Sequence, residues 1–362
     1  MKKVDTKEIW EFSRNFVKRE GILVLACCLA VLSSLVVTPR AEYIDWHVLV
    51  LLFCLMLVVG GFKKRRILDH CAVWLLRRCN SLRQITAALL LVTFVGSMLV
   101  TNDVALLTFV PLTLIIGREV GLDVAKIIIW QTLAANLGSM LTPMGNPQNL
   151  FLYARYEFDS VSFLQVTWLP TLLSGALLGL LLWRQQNRPL KVNLASVQVE
   201  RGWGLGILDL LFLLCVASVF RWFDHWLLLA VTVAVIMAMD RGLFRQIDYS
   251  LLVTFCGFFI FIGNLTQLEF IGSIRDSVLG SAAGTYITGI LASQFISNVP
   301  AAMLMAAFTE QRKALLLGVN IGGLGTLIAS MASVISYKLF AEAHPAQIRQ
   351  YLLLFLYYNA IG

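Results

Sequence analysis

The chain has 362 residues, of which 59% are hydrophobic and only 14% charged, and its formal net charge is +8. Soluble domains are about 45–50% apolar and about a quarter charged, so this is a polytopic membrane protein. Four histidines without an HExxH motif or a Ser/His/Asp set exclude a membrane-embedded enzyme, and seven cysteines without a CxxC pair read as small buried hydrophobes.

Residues 1–20 mix charges of both signs with Ile9, Phe12 and Phe16 at helical spacing. That spacing predicts a cytoplasmic amphipathic helix on the membrane surface rather than a signal peptide. Apolar runs near 21–38 and 45–62 then cross, at about 20 residues per crossing. A basic amphipathic segment follows near 64–80. Its His70, Cys71 and Cys79 lack the closing geometry of a metal site. The run 82–117 is interrupted by Thr101-Asn102-Asp103, and 124–155 is broken at Pro143–Pro147. A span at 163–183 completes a first unit, 21–183. Residues 184–205 read as a cytoplasmic linker. The second unit, 206–362, has spans near 206–221, 226–239 and 249–267. It continues with a run at 283–308 interrupted by Ser297-Asn298-Val299-Pro300, a run at 313–338 broken near Gly325–Ser330, and a last span from near 349.

Each half of 283–308 is too short to cross. Both interrupted runs, 82–117 and 283–308, therefore read as re-entrant hairpins whose tips stop at mid-depth, where irregular backbone must be shielded or line a cavity. With the N-terminus inside, 23 of the 29 Lys and Arg fall on the cytoplasmic side, as the positive-inside rule requires. The basic excess thus belongs to the inner or plasma membrane surface and not to a nucleic acid.

Three stretches recur in order. "IDWHVLVLLFCLMLVVGG" from Ile44 matches "IDYSLLVTFCGFFIFIGN" from Ile247, with Asp45 and Asp248 in register. "TNDVALL" matches "SNVPAAM", so that Asn102 meets Asn298. "NLGSMLTPMGNPQN" matches "NIGGLGTLIASMAS", bringing Asn136 to Asn320, Gly138 to Gly322 and Thr142 to Thr326. With four crossings between the matched spans, the second copy is inverted. The expected fold is an all-α membrane protein of two inverted-topology repeats, each with a re-entrant hairpin and a broken transmembrane helix. Broken apolar segments at corresponding places in two halves point to a transporter's binding site.

Each break starts a half-helix whose free N–H groups attract anions, while freed carbonyls and Asn, Ser and Thr oxygens suit a small hard cation. The expected site is Thr101, Asn102 and Asp103 at one tip and Ser297 and Asn298 at the other. Thr142, Gly145, Asn146 and Asn149 line the first break, Thr326, Ser330 and Ser333 the second, and Asn136 and Asn320 join them. Glycines 138, 145, 322, 323 and 325 let backbone approach a ligand. Asp103 reads either as a proton-coupling carboxylate or as a permanent cap of the half-helix from Val104.

"TNDVALLTFVPL", "NLGSMLTPMGNPQNLFLY" and "SNVPAAML" resemble signature stretches of the ion transporter superfamily, in particular its bacterial citrate-transporter-like or anion permease branch. The resemblance implies a scaffold and a mobile transport domain, elevator-type alternating access and a homodimer. In the dicarboxylate branch both tips read Ser-Asn-Thr and bind sodium and substrate carboxylate, which carries a sodium site onto Asn102, Asp103 and Asn298. Here Val299 removes one hydroxyl and Asp103 adds an acid, and Asn-Asp at the first tip is similar to the arsenite permeases. The reading is a secondary active transporter of a small organic or inorganic anion, with H⁺ or Na⁺ as coupling ion and no other cofactor. An arsenite/antimonite efflux permease is the alternative, and a Na⁺/H⁺ antiporter a further one.

Overall fold

The computed structural model describes residues 20–192, 197–198, 202–268 and 279–362; of the expected amphipathic helix over 1–20, all but Glu20 lies outside them. Among these residues the chain forms sixteen α-helices and no strand. An apolar chain must satisfy its backbone N–H and C=O groups internally, and helices do so segment by segment.

Helices α1 (Gly21–Ser34), α2 (Trp46–Lys64) and α3 (Ile67–Leu76) come first. Asp45 caps α2 by accepting the Val48 N–H at 3.1 Å. Arg66, left-handed at φ 58°, turns the chain into α3. A hairpin of α4 (Leu82–Val100) and α5 (Asn102–Val120) reverses through Thr101 alone. The broken helix consists of α6 (Ala125–Ser139) and α7 (Pro147–Arg155), and α8 (Ser160–Trp183) follows. The second half contains α9 (Trp203–Val219), α10 (His225–Met239) and α11 (Tyr249–Leu265). Asp248 caps α11 through the Leu251 N–H at 3.0 Å, as Asp45 caps α2. A second hairpin, α12 (Ala282–Ile296) and α13 (Asn298–Ala306), reverses through Ser297. A second broken helix, α14 (Arg312–Gly322) and α15 (Met331–Ala343), precedes α16 (Ile348–Ile361).

The arms of the two hairpins differ in length. Those of the second have 15 and 9 residues, but those of the first have 19 each, long enough to cross by length alone. The extra turns lie at the open end, where Leu82, Ile85, Ala88 and Ile116 pack against Leu76 of α3.

One apolar core joins α1, α2, α9, α10 and α11 through residues such as Val48, Leu51, Leu208, Cys215 and Phe255, and it extends to α7, α13 and α14. A second core gathers α4, α5, α6, α8, α15 and α16 around Ile128, Trp130, Leu133, Phe340, Tyr351 and Phe355. Every residue of α6 except Lys126 is buried, the mark of a helix surrounded on all sides. By contrast α8 exposes Leu164, Leu169, Leu172, Leu173 and Leu180. Among the described residues it is one of three helices, with α2 and α4, long and apolar enough to span a membrane.

Contacts gather the basic segments at one end of the molecule. Lys64 at the end of α2 pairs with Asp240 after α10, Arg83 donates to the Trp183 and Gln185 carbonyls, and Arg65 lies against Gly204. At another place Arg221 donates to the Ala154 carbonyl, Arg312 to that of Tyr156, and the Tyr156 hydroxyl to that of Thr309.

Candidate functional site

Both hairpin tips adopt one backbone conformation that side chains disfavour. Thr101 has φ 82° and ψ 151°, and Ser297 has φ 73° and ψ 154°. This region is essentially glycine's, and holding another residue there costs on the order of 1–3 kcal/mol. The chain thereby reverses over a single residue and opens α5 and α13 at Asn102 and Asn298. Asn102 Oδ1 accepts the Asp103 N–H at 2.9 Å, while Thr101 at the N-cap position makes no side-chain cap bond. The Asp103 carboxylate takes no hydrogen bond from the described residues and faces a cavity.

The two breaks are also built alike. A single 3₁₀ turn, Pro143–Gly145 or Leu327–Ala329, leads to an extended residue, Asn146 (φ −153°, ψ 141°) or Ser330 (φ −142°, ψ 138°), after which α7 or α15 begins. Each break is clipped to its own hairpin by a threonine. The Thr142 hydroxyl donates to the Met98 carbonyl at 2.5 Å and the Thr326 hydroxyl to that of Gln294 at 3.0 Å. These carbonyls lie three residues before each tip. Glycine permits the approach: a Cβ at Gly138 would lie 2.8 Å from Ser97 Oγ, and one at Gly322 2.7 Å from Ser293 Oγ.

Two asparagines cross between the halves. Asn136 Oδ1 accepts from Asn102 Nδ2 at 3.1 Å and from Ser330 Oγ at 3.0 Å, while its Nδ2 reaches Ser333 Oγ at 3.4 Å. Asn320 Nδ2 donates to Asn149 Oδ1 at 2.7 Å. Under the register that aligns Asn136 with Asn320, Asn149 aligns with Ser333, so the two crossings are reciprocal. They are not identical, because Asn320 Oδ1 is buried with no partner.

All of this converges on one cavity of about 450 Å³, a size suited to a small molecule. Its wall includes Asn102 and Asp103, Ser297 and Asn298, Asn146 and Pro147, and Ser330 and Met331. These are the first residues of α5, α13, α7 and α15, so four helix N-termini meet there, each carrying roughly half a positive charge. Opposite stand α1 and Ser250, Leu251 and Thr254 of α11. Glu20, Asp248 and Lys338 supply the charges of the remaining wall.

Six of the expected residues line the cavity: Asn102, Asp103, Asn146, Ser297, Asn298 and Ser330. The others stand behind it. Asn136, Asn149, Asn320 and Ser333 form the crossing network, Thr142 and Thr326 clip the hairpins, and Thr101 makes the turn. Gly145 packs on the Ser139 carbonyl and Gly325, at φ 106°, on the Gln294 side chain. The glycines at the breaks thus admit protein where the sequence suggested ligand; only Gly323 lies against a site asparagine, 2.8 Å from Asn298 Nδ2 to its Cβ position.

Several residues were not anticipated. Gln294 fills the second break, donating to the Gly322 and Leu324 carbonyls at 2.8 Å each and accepting the Thr326 N–H at 2.9 Å. A lone amide three residues before a tip was the available signal. Gln148 is fully buried with both amide atoms unpartnered, and it sits within the quoted Pro-Gln-Asn run. Lys338 and Asp248 reach the cavity only through tertiary packing. No cluster of three His, Cys, Asp or Glu suited to a metal occurs among the described residues, so a cation here would meet mainly neutral oxygens, with Asp103 the one acid at a tip.

The family model for citrate transporters, CitMHS, matches residues 9–311. The chain belongs to this family and is a transporter. It is 33% identical to the uncharacterized transporter MJ0456 of Methanocaldococcus jannaschii, over 82% of this chain and 81% of that one. It is 31% identical to the inner membrane protein YbiR of Escherichia coli, over 82% and 80%. Among solved structures, the fold is similar to the YdaH transporter of Alcanivorax borkumensis, described as having an unusual topology. The TM-score is 0.52 at 15% identity, over 91% of this chain and 85% of that one.

Proposed function

We propose that the chain is a secondary active transporter of a small anion, organic carboxylate or inorganic oxyanion, driven by H⁺ or Na⁺. The observation that carries this reading is the meeting of four helix N-termini at one cavity, since such ends bind anions through backbone N–H groups. Asp103, uncapped and facing the same space, is the coupling group. The paired tips, paired breaks and reciprocal asparagine crossings support two inverted repeats that exchange access by an elevator-type movement in a homodimer. With the basic end cytoplasmic, the cavity's Glu20, Asp248 and Lys338 lie toward the cytoplasm and the conformation is inward-open.

A second reading has an observation of its own. Over 162 residues, 45% of this chain and 33% of the other, the sequence is 30% identical to a silicon efflux transporter, LSI3 of rice. A carboxylate in the cavity suits efflux of a neutral metalloid hydroxide, arsenite or antimonite, better than it suits a multiply charged anion. Proteoliposomes loaded with citrate, succinate, phosphate or arsenite in turn, with Na⁺ and pH gradients imposed separately, decide between them. Gradient-driven accumulation of an anion supports the first reading. Accumulation of arsenite alone overturns it, and voltage-driven flux without accumulation would replace both with a channel.

A further inference from the structure

Helix α3 is not part of the transport cavity, yet it builds a site of its own. It buries Ala72, Val73 and Leu76, with Ala72 packed against Ala105 and Phe109 of α5. This leaves Trp74, 51% exposed, on the outer face. Beside it His70, Val73, Trp74, Arg77 and Arg78 line a cavity of about 220 Å³, closed by Val197, whose carbonyl lies 2.8 Å from His70 Nδ1. The Arg78 guanidinium stands 3.7 Å from the centroid of the Trp74 ring.

The charges are left over. Nearby Lys64 is paired with Asp240 and Arg66 with Asp69. Among the described residues no carboxylate or carbonyl partners Arg77 or Arg78, and no acid lines the cavity. Two guanidiniums next to each other suit the oxygens of a phosphodiester, which they grip with paired N–H donors. The level of the site is marked by aromatic residues. Trp183 at the end of α8 is 70% exposed and Trp203 at the start of α9 95%. Both belong to the same end of the molecule, through Arg83 on the Trp183 carbonyl and Arg65 against Gly204. Exposed tryptophans collect at headgroup depth, and basic amphipathic segments directly after a transmembrane helix attract anionic lipid.

We infer that the His70–Trp74–Arg77–Arg78 cavity binds the headgroup phosphodiester of an anionic phospholipid, with the Trp74 ring against the glycerol region. The site anchors α3, and through it the open end of the first hairpin, to the membrane surface. Its existence does not depend on what the protein transports.

The test is lipid binding by the full-length, delipidated protein in neutral detergent, counted by native mass spectrometry. Phosphatidylglycerol and phosphatidylcholine are compared at equal concentration. The expected result is preferential retention of phosphatidylglycerol, roughly tenfold weaker in an R77Q/R78Q variant and partly kept in R77K/R78K, since charge remains but the fork is lost. Equal retention of the two lipids by the unaltered protein overturns the inference, whatever the variants do. Undiminished phosphatidylglycerol binding by R77Q/R78Q overturns it too. Displacement of the lipid by millimolar inorganic phosphate would reassign the cavity to a soluble anion.

Discussion

Replacing Asn136 by alanine removes the residue that holds the first hairpin tip and the second break together. Its Oδ1 receives two well-formed hydrogen bonds, from Asn102 at 3.1 Å and Ser330 at 3.0 Å. The two contacts of its Nδ2, at 3.4 and 3.5 Å, are long enough to count for little. Each good bond contributes about 0.5–1.5 kcal/mol net, and the Asn102 amide, left buried without its partner, adds a desolvation cost of about 1–3 kcal/mol. The expected loss is therefore about 2–6 kcal/mol. Asn320→Ala gives up the bond to Asn149 at 2.7 Å and one to its own helix. It leaves the buried Asn149 Oδ1 without its donor, but it also deletes a buried carbonyl oxygen that has no partner; these two changes offset, so its cost should be about half as large. Denaturation by SDS titration in mixed micelles gives the order, and substrate-dependent thermal protection shows whether the cavity has loosened. The Asn136 variant should be the weaker of the two and should lose most of its ligand protection. Equal stability of the variants, or the reverse order, would refute the crossing network as drawn.

Other outcomes follow from single contacts. Gly138→Ala, whose Cβ would meet the Phe94 carbonyl and Ser97 Oγ, should cost about 1–3 kcal/mol by overpacking; Gly206→Ala, which meets nothing, should be neutral or slightly stabilising by the same denaturation assay. Asn298→Ala should abolish transport while leaving folded protein in the membrane, and an unaltered rate would return Asn298 to a packing role. Single cysteines at Lys64 and Arg312, in a background without the native cysteines, should label from opposite faces of sealed cells. The Lys64 ammonium hydrogen-bonded to Asp240 holds that carboxyl below the usual carboxylate range. Its contribution is then present above about pH 3.9 and lost as pH falls through the lower folded-state value. The pair is exposed, so Asp240→Asn should cost no more than about 1 kcal/mol at pH 7 and nothing in strong acid.

Much of the architecture was legible because a membrane makes polar punctuation expensive. Thr101-Asn102-Asp103 and Ser297-Asn298 interrupt apolar runs, and interruption without a loop-length spacer leaves a hairpin as the economical solution. The two breaks were legible for the same reason, together with their shared register. What a glycine is for was not. Gly138 and Gly322 admit a neighbouring helix, and a sequence cannot distinguish that from admitting a ligand, because both demand only the missing Cβ. Thr142 and Thr326 were similarly ambiguous: a hydroxyl beside a break serves a cavity or a carbonyl equally well, and the carbonyls of Met98 and Gln294 are found only once the hairpin is packed. Lys338 closes the apolar run 313–338, and only the packing of α15, which continues to Ala343, brings it to the cavity wall.

The charge balance at the four helix ends, apart from Glu20, Asp248 and Lys338 on the remaining wall, sets what Asp103→Asn should do, and it separates the readings. Four N-termini contribute roughly +0.5 each, and an ionised Asp103 cancels about half of that sum. A cavity of about 450 Å³ keeps a bound anion about 5 Å from such a wall group. At an effective dielectric constant near 20 the repulsion is then about 3 kcal/mol, on the order of a hundredfold in affinity. Protonating Asp103 removes that penalty, so anion and proton each favour the other's binding by the same factor. That reciprocity is what symport requires. Asn is uncharged at every pH, and the Asp103 carboxylate accepts no hydrogen bond at the tip, where the Asp103 N–H is taken by Asn102, so Asp103→Asn should fold normally. It should bind the anion more tightly at neutral pH, lose the pH dependence of binding, and no longer accumulate substrate against a gradient while still exchanging it. A neutral hydroxide carries no charge for Asp103 to repel, and its binding would be nearly indifferent to the substitution. Calorimetric titration at two pH values on either side of neutrality, paired with counterflow in proteoliposomes, reads both quantities. An Asp103→Asn protein whose anion affinity is unchanged and still pH-dependent would place the coupling group elsewhere.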